Sequence, residues 1–250
     1  MVLTVTVLGC SGTYAGADNA CSGYLVRGGG VTVLMDAGPG TLANLQHHAK
    51  LTDLDAVIIS HSHPDHWLEV PVLRNALRYI HAVHGVPLFT TAETLGLAEV
   101  LCHGQLGPTY VPHVISDGSQ FAVGPLAFRC SRTDHPPETL GLRADFGDAS
   151  VAYTADTGPG WSLGELGAGI DLAISEATFL DDGTEDPDVS DGSVHLTARQ
   201  AGAGARAAGV RRLLVTHVLP TGSVDEAVAE ASEAYGAPVE AARVHHTFGV

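Results

Sequence analysis

The stretch VIISHSHPDHWLEV, from Val57 to Val70, sets His61, His63, Asp65 and His66 directly behind an apolar run. Packed side by side in a core, such groups would be costly unless something bound them. The run therefore has to be a strand that stops at a polar rim. Other strands must reach the same rim and complete whatever these groups hold. The rest of the chain meets that demand. His135 follows FRCSRT, Asp156 follows VAYT and His217 follows LLVT, each just past an apolar run of strand length.

Between these points strands and helices alternate. VLTVTVLG reads as a strand ending at the Gly-rich turn GCSGTYAGADNACSG, and YLVRGGGVTVLMDAG as two strands joined by a glycine hairpin. GTLANLQHHA reads as a helix and LDAVIIS as a buried strand. WLEVPVLRNALRYIHAVHG has helical spacing, with Pro71 near its first turn. VPLFTT (strand) and AETLGLAEVLCHG (helix) close the first half. The second half runs through strands GPLAFRCSRT, TLGLRADF, SVAYTAD and DLAISEATF. It continues with helix TARQAGAGARAAG, strand RRLLVTHV, helix SVDEAVAEASEAYG and a last strand, VEAARVHHTF. Two similar halves of mixed strand and helix predict an αββα sandwich, with residues 1–250 as one domain. The acidic stretch DDGTEDPDVSDGS, 181–193, lacks calcium-loop spacing and reads as a solvated loop.

Composition narrows the partners. Acidic residues number 28 against 12 basic ones, for a net charge of −16. Strong nucleic-acid binders cluster Lys and Arg, and this chain offers only the Arg211–Arg212 pair, which reads as a solvated turn. Tight binding to a polyanion is disfavoured; a small anion held by metals is not. The cysteines Cys10, Cys21, Cys102 and Cys130 are scattered, which predicts reduced thiols and a cytoplasmic protein. No leader and no membrane span is legible, so no membrane partner is expected.

Together the strand-end residues offer five imidazoles and two carboxylates. That exceeds one tetrahedral zinc and suits two, with a bridging oxygen between them. Alternate residues of an extended segment point the same way, so His61 and His63 can grip one ion. The turn at Pro64 swings Asp65 and His66 toward a second ion, and a carboxylate such as Asp156 can bridge. Manganese or iron can take the same donors. Such a pair of ions generates hydroxide near neutral pH and neutralises an anionic substrate. The remaining histidines, His47, His48, His81, His84, His103, His113, His245 and His246, read as structural or solvated.

HSHPDH, then His135, TADTG with Asp156, and THV with His217 resemble the metallo-β-lactamase superfamily, over nearly the whole chain from VLGCSG to HHTFGV. The resemblance implies that His61, His63 and His135 hold one metal, that Asp65, His66 and His217 hold the other, and that Asp156 bridges. SEATF, from Ser175, resembles the HEATF segment of ribonuclease Z-like phosphodiesterases, and HLTARQAG, from His195, their HST…A segment. The resemblance then makes Glu176 and His195 a pair that protonates the leaving alkoxide. The chemistry is sound, since a carboxylate orients an imidazole and favours its protonated form. Ser175 stands where that branch has His, and no role for it is legible.

Ribonuclease Z proteins usually carry a long RNA-gripping arm between the His and Asp ligands; here His135 and Asp156 leave room for one strand pair. VTVLGCSGTYAG…SGYLVR and HSHPDHWLEVP, with Glu69 in place of Gly, resemble the arm-less atypical class II cyclic-nucleotide phosphodiesterases of bacteria. That branch commonly forms homodimers. The resulting expectation is a two-zinc phosphodiesterase acting on a small cyclic nucleotide, cyclic AMP-like. Asp65 would steer the attacking metal hydroxide and His195, oriented by Glu176, would act as the acid. The alternatives are a ribonuclease Z-like RNA 3′ endonuclease, a lactonase or other ester hydrolase, and a metal-binding module without turnover. The Gly-rich loop 9–16 lacks a phosphate-loop ending; it reads as a border of the active-site mouth, with Ser11 or Thr13 placed to touch substrate.

Overall fold

A computed structural model describes residues 2–181 and 194–250, so the acidic stretch beyond Asp181 lies outside the described residues. The first-half strands are β1 (Thr4–Gly9), β2 (Gly23–Gly28), β3 (Val31–Met35), β4 (Ala56–Ile58), β5 (Val86–Thr90) and β6 (Tyr110–Val114). The second half contributes β7 (Gln120–Val123), β8 (Leu126–Arg132), β9 (Leu140–Phe146), β10 (Ala149–Tyr153), β11 (Leu172–Glu176) and β12 (Arg212–Thr216). The short β13 (Glu240–Ala241) and β14 (Thr247–Gly249) follow. One sheet has the order β14-β1-β2-β3-β4-β5-β6, the other β13-β12-β11-β10-β9-β8-β7. The helices are α1 (Thr41–Leu45), α2 (Pro64–Trp67), α3 (Val70–Asn75), α4 (Ala92–Leu101), α5 (Ala198–Ala207) and α6 (Val224–Tyr235).

The layers are those of an αββα sandwich. The inner faces of both sheets meet in one core that includes Val5, Tyr24, Val33, Ile58, Phe128, Leu142, Tyr153 and Ile174. A second apolar layer, with Leu45, Trp67, Leu73, Leu77 and Ala98, packs α1–α4 on the first sheet. A third seats the small side chains Ala201, Ala205, Ala227 and Ala231 of α5 and α6 on the second sheet. The glycine hairpin is as expected: Gly29 and Gly30 join β2 to β3 with φ of 61° and 88°, the left-handed pair a two-residue turn requires.

Topology explains the shared rim. In the first sheet β3, β4, β5 and β6 run parallel. In the second, β10, β11, β12 and β13 run parallel, and β8 is two antiparallel steps from β10, so it points the same way. The ends of β3, β4, β8, β10, β11 and β12 therefore converge.

Three local expectations are corrected. The helix predicted from Trp67 onward starts only at Val70 as α3, separated from the short α2 that ends at Trp67, and passes into a wider π-wound turn over Ala76–His81. Pro71 sits in the first turn of α3, where its missing N–H is tolerated; its ring would oppose a continuous helix through that point. The last strand is divided: β13 pairs with β12 in the second sheet, whereas β14 pairs with β1 in the first. Strands β6 and β7 were not expected. Both are mostly exposed edge strands, and β6 carries Pro112, so neither shows the apolar run that marks a central strand.

Candidate metal centre

Three of the strand ends, and the loop that faces them, turn through left-handed backbone as they meet. Asp36, Ala155 and His217 have φ of 56°, 51° and 59°, and Thr13 in the facing loop has 64°. Non-glycine residues adopt this conformation at a cost, and such strain concentrates where side chains are aimed for function. The result is a tight cluster. His61, His63, His135 and Asp156 bring one ligand atom each within 4.8 Å of one another, and so do Asp65, His66 and His217. All seven metal ligands expected from the sequence are thus brought together.

The carboxylate of Asp156 divides itself between the two sets. Its Oδ2 lies 3.6 Å from His61 Nε2 and 3.8 Å from His135 Nε2. Its Oδ1 lies 3.3 Å from His66 Nε2 and 3.5 Å from His217 Nε2. His63 Nδ1 is 3.1 Å from His135 Nε2, and His217 Nε2 is 3.2 Å from Asp65 Oδ2. Ligand atoms about 2.0–2.2 Å from a tetrahedral ion are separated by roughly 3.3–3.6 Å, so these spacings suit cations between the atoms. Two buried atoms point to the same conclusion: His61 Nε2 and Asp156 Oδ1 have no hydrogen-bond partner. Buried polar atoms are paired as a rule, and here a cation in each set fits them, His61 Nε2 in one and Asp156 Oδ1 in the other.

Ring tautomers are set from behind. Asp36, fully buried, accepts from the Ser60 backbone N–H at 2.8 Å, the Ser60 hydroxyl at 2.9 Å, His66 Nδ1 at 2.8 Å and the Tyr153 hydroxyl at 3.0 Å. The Ser60 hydroxyl oxygen also meets His61 Nδ1 at 2.9 Å. His135 Nδ1 donates to the Val194 carbonyl at 2.8 Å, and His217 Nδ1 meets the Thr178 hydroxyl at 2.9 Å. Each of these four rings has its Nδ1 engaged and turns Nε2 inward, the outer-shell arrangement that fixes metal-ligating histidines. Burial pushes the His61 pKa down to about 4 and lowers those of His63 and His135, which favours the neutral, ligating form. Burial opposes charge on Asp65 too, but His66 and His217 outweigh it and hold its pKa at about 2.

Glu176 joins the centre to the second predicted pair. It is fully buried, and its Oε1 accepts from Thr157 N at 2.6 Å and His195 Nδ1 at 3.1 Å. Its Oε2 accepts from the Thr178 hydroxyl at 2.6 Å and Leu196 N at 3.1 Å. His195 stacks at 22° on the His217 ring, 5.6 Å between centroids, and lies 4.9 Å from the His135 ring. Asp156, His195 and His217 also bring one ligand atom each within 4.8 Å of one another, so His195 stands beside both ligand sets.

Other sequence candidates take structural places. Ser11 is fully buried and donates to the Tyr14 carbonyl at 2.7 Å, which removes it from substrate contact. Thr13 is exposed, and its backbone N–H donates to Asp65 Oδ2 at 2.9 Å. Gly12 lets that loop approach: a Cβ there would stand 2.4 Å from the His217 carbonyl oxygen. Glu69 accepts from Gly40 N at 3.0 Å, from the Thr41 hydroxyl at 3.1 Å and from Leu42 N. It thereby caps α1, whose own N-cap side has no side-chain acceptor. Ser175 donates to the Glu176 carbonyl and lines a cavity of about 340 Å³ against α5, with Trp161 and Leu196. Asp36, Ser60 and Thr178 were missed. Asp36 obeys the same strand-end rule as the ligands, following VTVLM; the two hydroxyls carry no comparable signal.

A family model described as a beta-lactamase superfamily domain matches residues 31–218. Rv1339, an uncharacterized protein of Mycobacterium tuberculosis, is 35% identical over 98% of this chain and 92% of its own. The probable metallo-hydrolase YhfI of Bacillus subtilis is 30% identical over 96% of this chain and 97% of its own. Its crystal structure superimposes with a TM-score of 0.88, covering 99% of both chains at 28% identity. A ribonuclease Z of Mycobacterium marinum is 31% identical over 96% of this chain and 95% of its own.

Proposed function

The chain belongs to the beta-lactamase superfamily and is a metal-dependent hydrolase, and from that premise we propose that it is a two-metal phosphodiesterase hydrolysing a small cyclic nucleotide of the cyclic AMP kind. The observation that carries this reading is the Glu176–His195 pair beside the two ligand sets. A hydrolase whose leaving group departs easily has little use for a buried carboxylate that fixes an imidazole beside both ligand sets.

In this reading His61, His63 and His135 would hold one ion and Asp65, His66 and His217 the other, with Asp156 shared between the sets; zinc suits the donors, with manganese or iron as substitutes. Two such ions, when bound, neutralise phosphate charge and make water a competent nucleophile near neutral pH. Asp65, fixed by the Thr13 N–H, would orient the attacking water toward phosphorus. The water oxygen, its displaced proton passing to solvent, would form the new P–O bond as the bond to the ribose oxygen breaks. His195, its Nδ1 held by Glu176, gives its other ring proton to the departing oxygen, and the product is a ring-opened monophosphate.

A second reading, RNA 3′ cleavage, is favoured by the identity to ribonuclease Z. Against it stand the net charge of −16 and the path from His135 to Asp156, which contains only the β9–β10 hairpin. The proposal extends to a homodimeric, cytoplasmic protein. Its four cysteines are buried and unpaired, and among the described residues no helix is long and apolar enough to cross a membrane. Sedimentation equilibrium tests the dimer: the mass of one chain would remove it.

The deciding experiment is turnover of a panel: 3′,5′-cyclic AMP, cyclic GMP, 2′,3′-cyclic nucleotides, bis(p-nitrophenyl) phosphate, an acyl lactone and a precursor transfer RNA. Cyclic-nucleotide hydrolysis is the expected result. Lactone opening without phosphodiester turnover, or clean RNA cleavage with cyclic nucleotides untouched, overturns it.

A further inference from the structure

Away from this centre the fold joins two His–His dipeptides from opposite ends of the chain. His47 and His48 lie just after α1, and His245 and His246 in the bend between β13 and β14. His48 Nε2 stands 3.0 Å from His245 Nδ1. The exposed His47 ring meets the His245 ring edge-on, 5.1 Å between centroids. We propose that His47, His48 and His245 form an additional surface site for a divalent transition-metal ion, separate from the two-metal centre.

The geometry is that of a ligand pair. Two imidazole nitrogens bound to one ion at about 2.0–2.1 Å lie roughly 2.9–3.4 Å apart, from square-planar to tetrahedral arrangement. Without an ion, one neutral ring donates to the other; on binding, the donor ring would carry its proton on its other nitrogen, so that both facing lone pairs meet the cation. Burial, together with His245, Arg27 and His47, lowers the His48 pKa, which favours the ligating form. His47, exposed and with its ring 5.1 Å from that of His245, would complete the set on rotating its side chain, since its nitrogens do not stand within ligand reach of both other rings as placed; solvent would fill the remaining positions. An all-imidazole set suits zinc, copper or nickel and not the oxygen-seeking magnesium or calcium.

The backbone holds the pair in place. His245 sits at φ 71°, unusual for a non-glycine residue. Its N–H donates to the Val7 carbonyl at 2.8 Å, and the Val7 N–H returns to the His246 carbonyl at 2.9 Å. The His48 carbonyl accepts from Arg27 at 2.6 Å. Both ligand-bearing turns are thus tied to the paired strands β1 and β2. Asp18 lines one groove with His245 and adds negative charge nearby. An ion here would clip the C-terminal bend to the turn after α1.

The test is equilibrium dialysis of the protein, holding its resident ions, against rising zinc, with metal counted per chain. Wild type is expected to gain one saturable ion beyond the resident complement. His48→Ala and His245→Ala are expected to lose that ion, keep the resident ones, and retain hydrolytic turnover. His47→Ala is expected to weaken its binding at least tenfold. Absence of an additional ion in wild type, or its persistence in His48→Ala and His245→Ala, overturns the site. Unchanged affinity in His47→Ala overturns the three-histidine set. Failure of the phosphodiesterase reading leaves this count unaffected, because none of these residues belongs to the hydrolytic centre.

Discussion

Asp36→Asn changes one oxygen to an amide and little else in volume, yet the structure makes it a severe substitution. The carboxylate is fully buried and takes four donors. An Asn carbonyl can keep the Ser60 backbone N–H. The new NH₂ then faces His66 Nδ1 and the hydroxyls of Ser60 and Tyr153. Hydroxyls can turn and accept; the His66 N–H cannot. The His66 ring is left with an unmatched donor or moves its proton to Nε2, the nitrogen facing Asp156. Losing a hydrogen bond to a charged acceptor costs about 1.5–3 kcal/mol. Outer-shell changes typically weaken metal binding about 10–100-fold, equivalent to roughly 1.4–2.7 kcal/mol, so the two scales agree. The Asp65–His66–His217 set should suffer most. The other set should weaken less, because Ser60 transmits the change to His61. Chelator competition at pH 7, with circular dichroism to confirm the fold, gives both affinities. Dissociation constants within twofold of wild type at both sites would refute the reasoning.

Asp156→Ala should impair both metal sites, because its two oxygens face different sets; wild-type metal content by elemental analysis would exclude the bridge. Precursor transfer RNA should bind weakly at physiological salt, and a filter-binding titration showing tight, salt-sensitive binding would move the protein to the RNA reading. Burial raises the pKa of Cys10 to about 11 and of Cys21 and Cys130 to about 12, from 9.0. Between those values the folded chain holds protons that the unfolded chain has released, so stability is complete below about pH 9 and falls as pH rises further. Melting temperatures from pH 8 to 11 should decline accordingly, and a flat profile would contradict the burial argument.

The candidate ligand set was legible because each strand-end group follows an apolar run, and topology gathers strand ends on one rim whatever the loops do. Asp36 follows the same rule, but its Asp-Ala-Gly context looks like an ordinary turn. Ser60 and Thr178 act through single hydroxyl contacts, and one serine or threonine near a strand end carries no distinguishing pattern. Glu69 entered only as a difference from the ribonuclease Z pattern; its carboxylate caps α1 across a gap of 28 residues in sequence from Thr41, a contact no local pattern announces. The divided C-terminal strand was opaque for a different reason. VEAARVHHTF has strand composition throughout, and only packing decides that its two ends serve different sheets. The contact between His48 and His245 spans 197 positions, a distance over which two isolated His–His pairs give no hint of each other.

The most direct test of the central claim separates the leaving-group acid from the metals. His195→Ala should retain both ions, since the two ligand sets are complete without it. Loss of a general acid typically costs about 10²–10⁴-fold, and the cost falls on poor leaving groups. The measurement is kcat of wild type and His195→Ala for 3′,5′-cyclic AMP and for bis(p-nitrophenyl) phosphate, with metal content determined on the same samples. The account predicts a steep fall with cyclic AMP, whose ribose alkoxide needs the proton, and a much smaller fall with the activated ester. Equal losses on both substrates with metals retained, or loss of a metal ion from the variant, would contradict it.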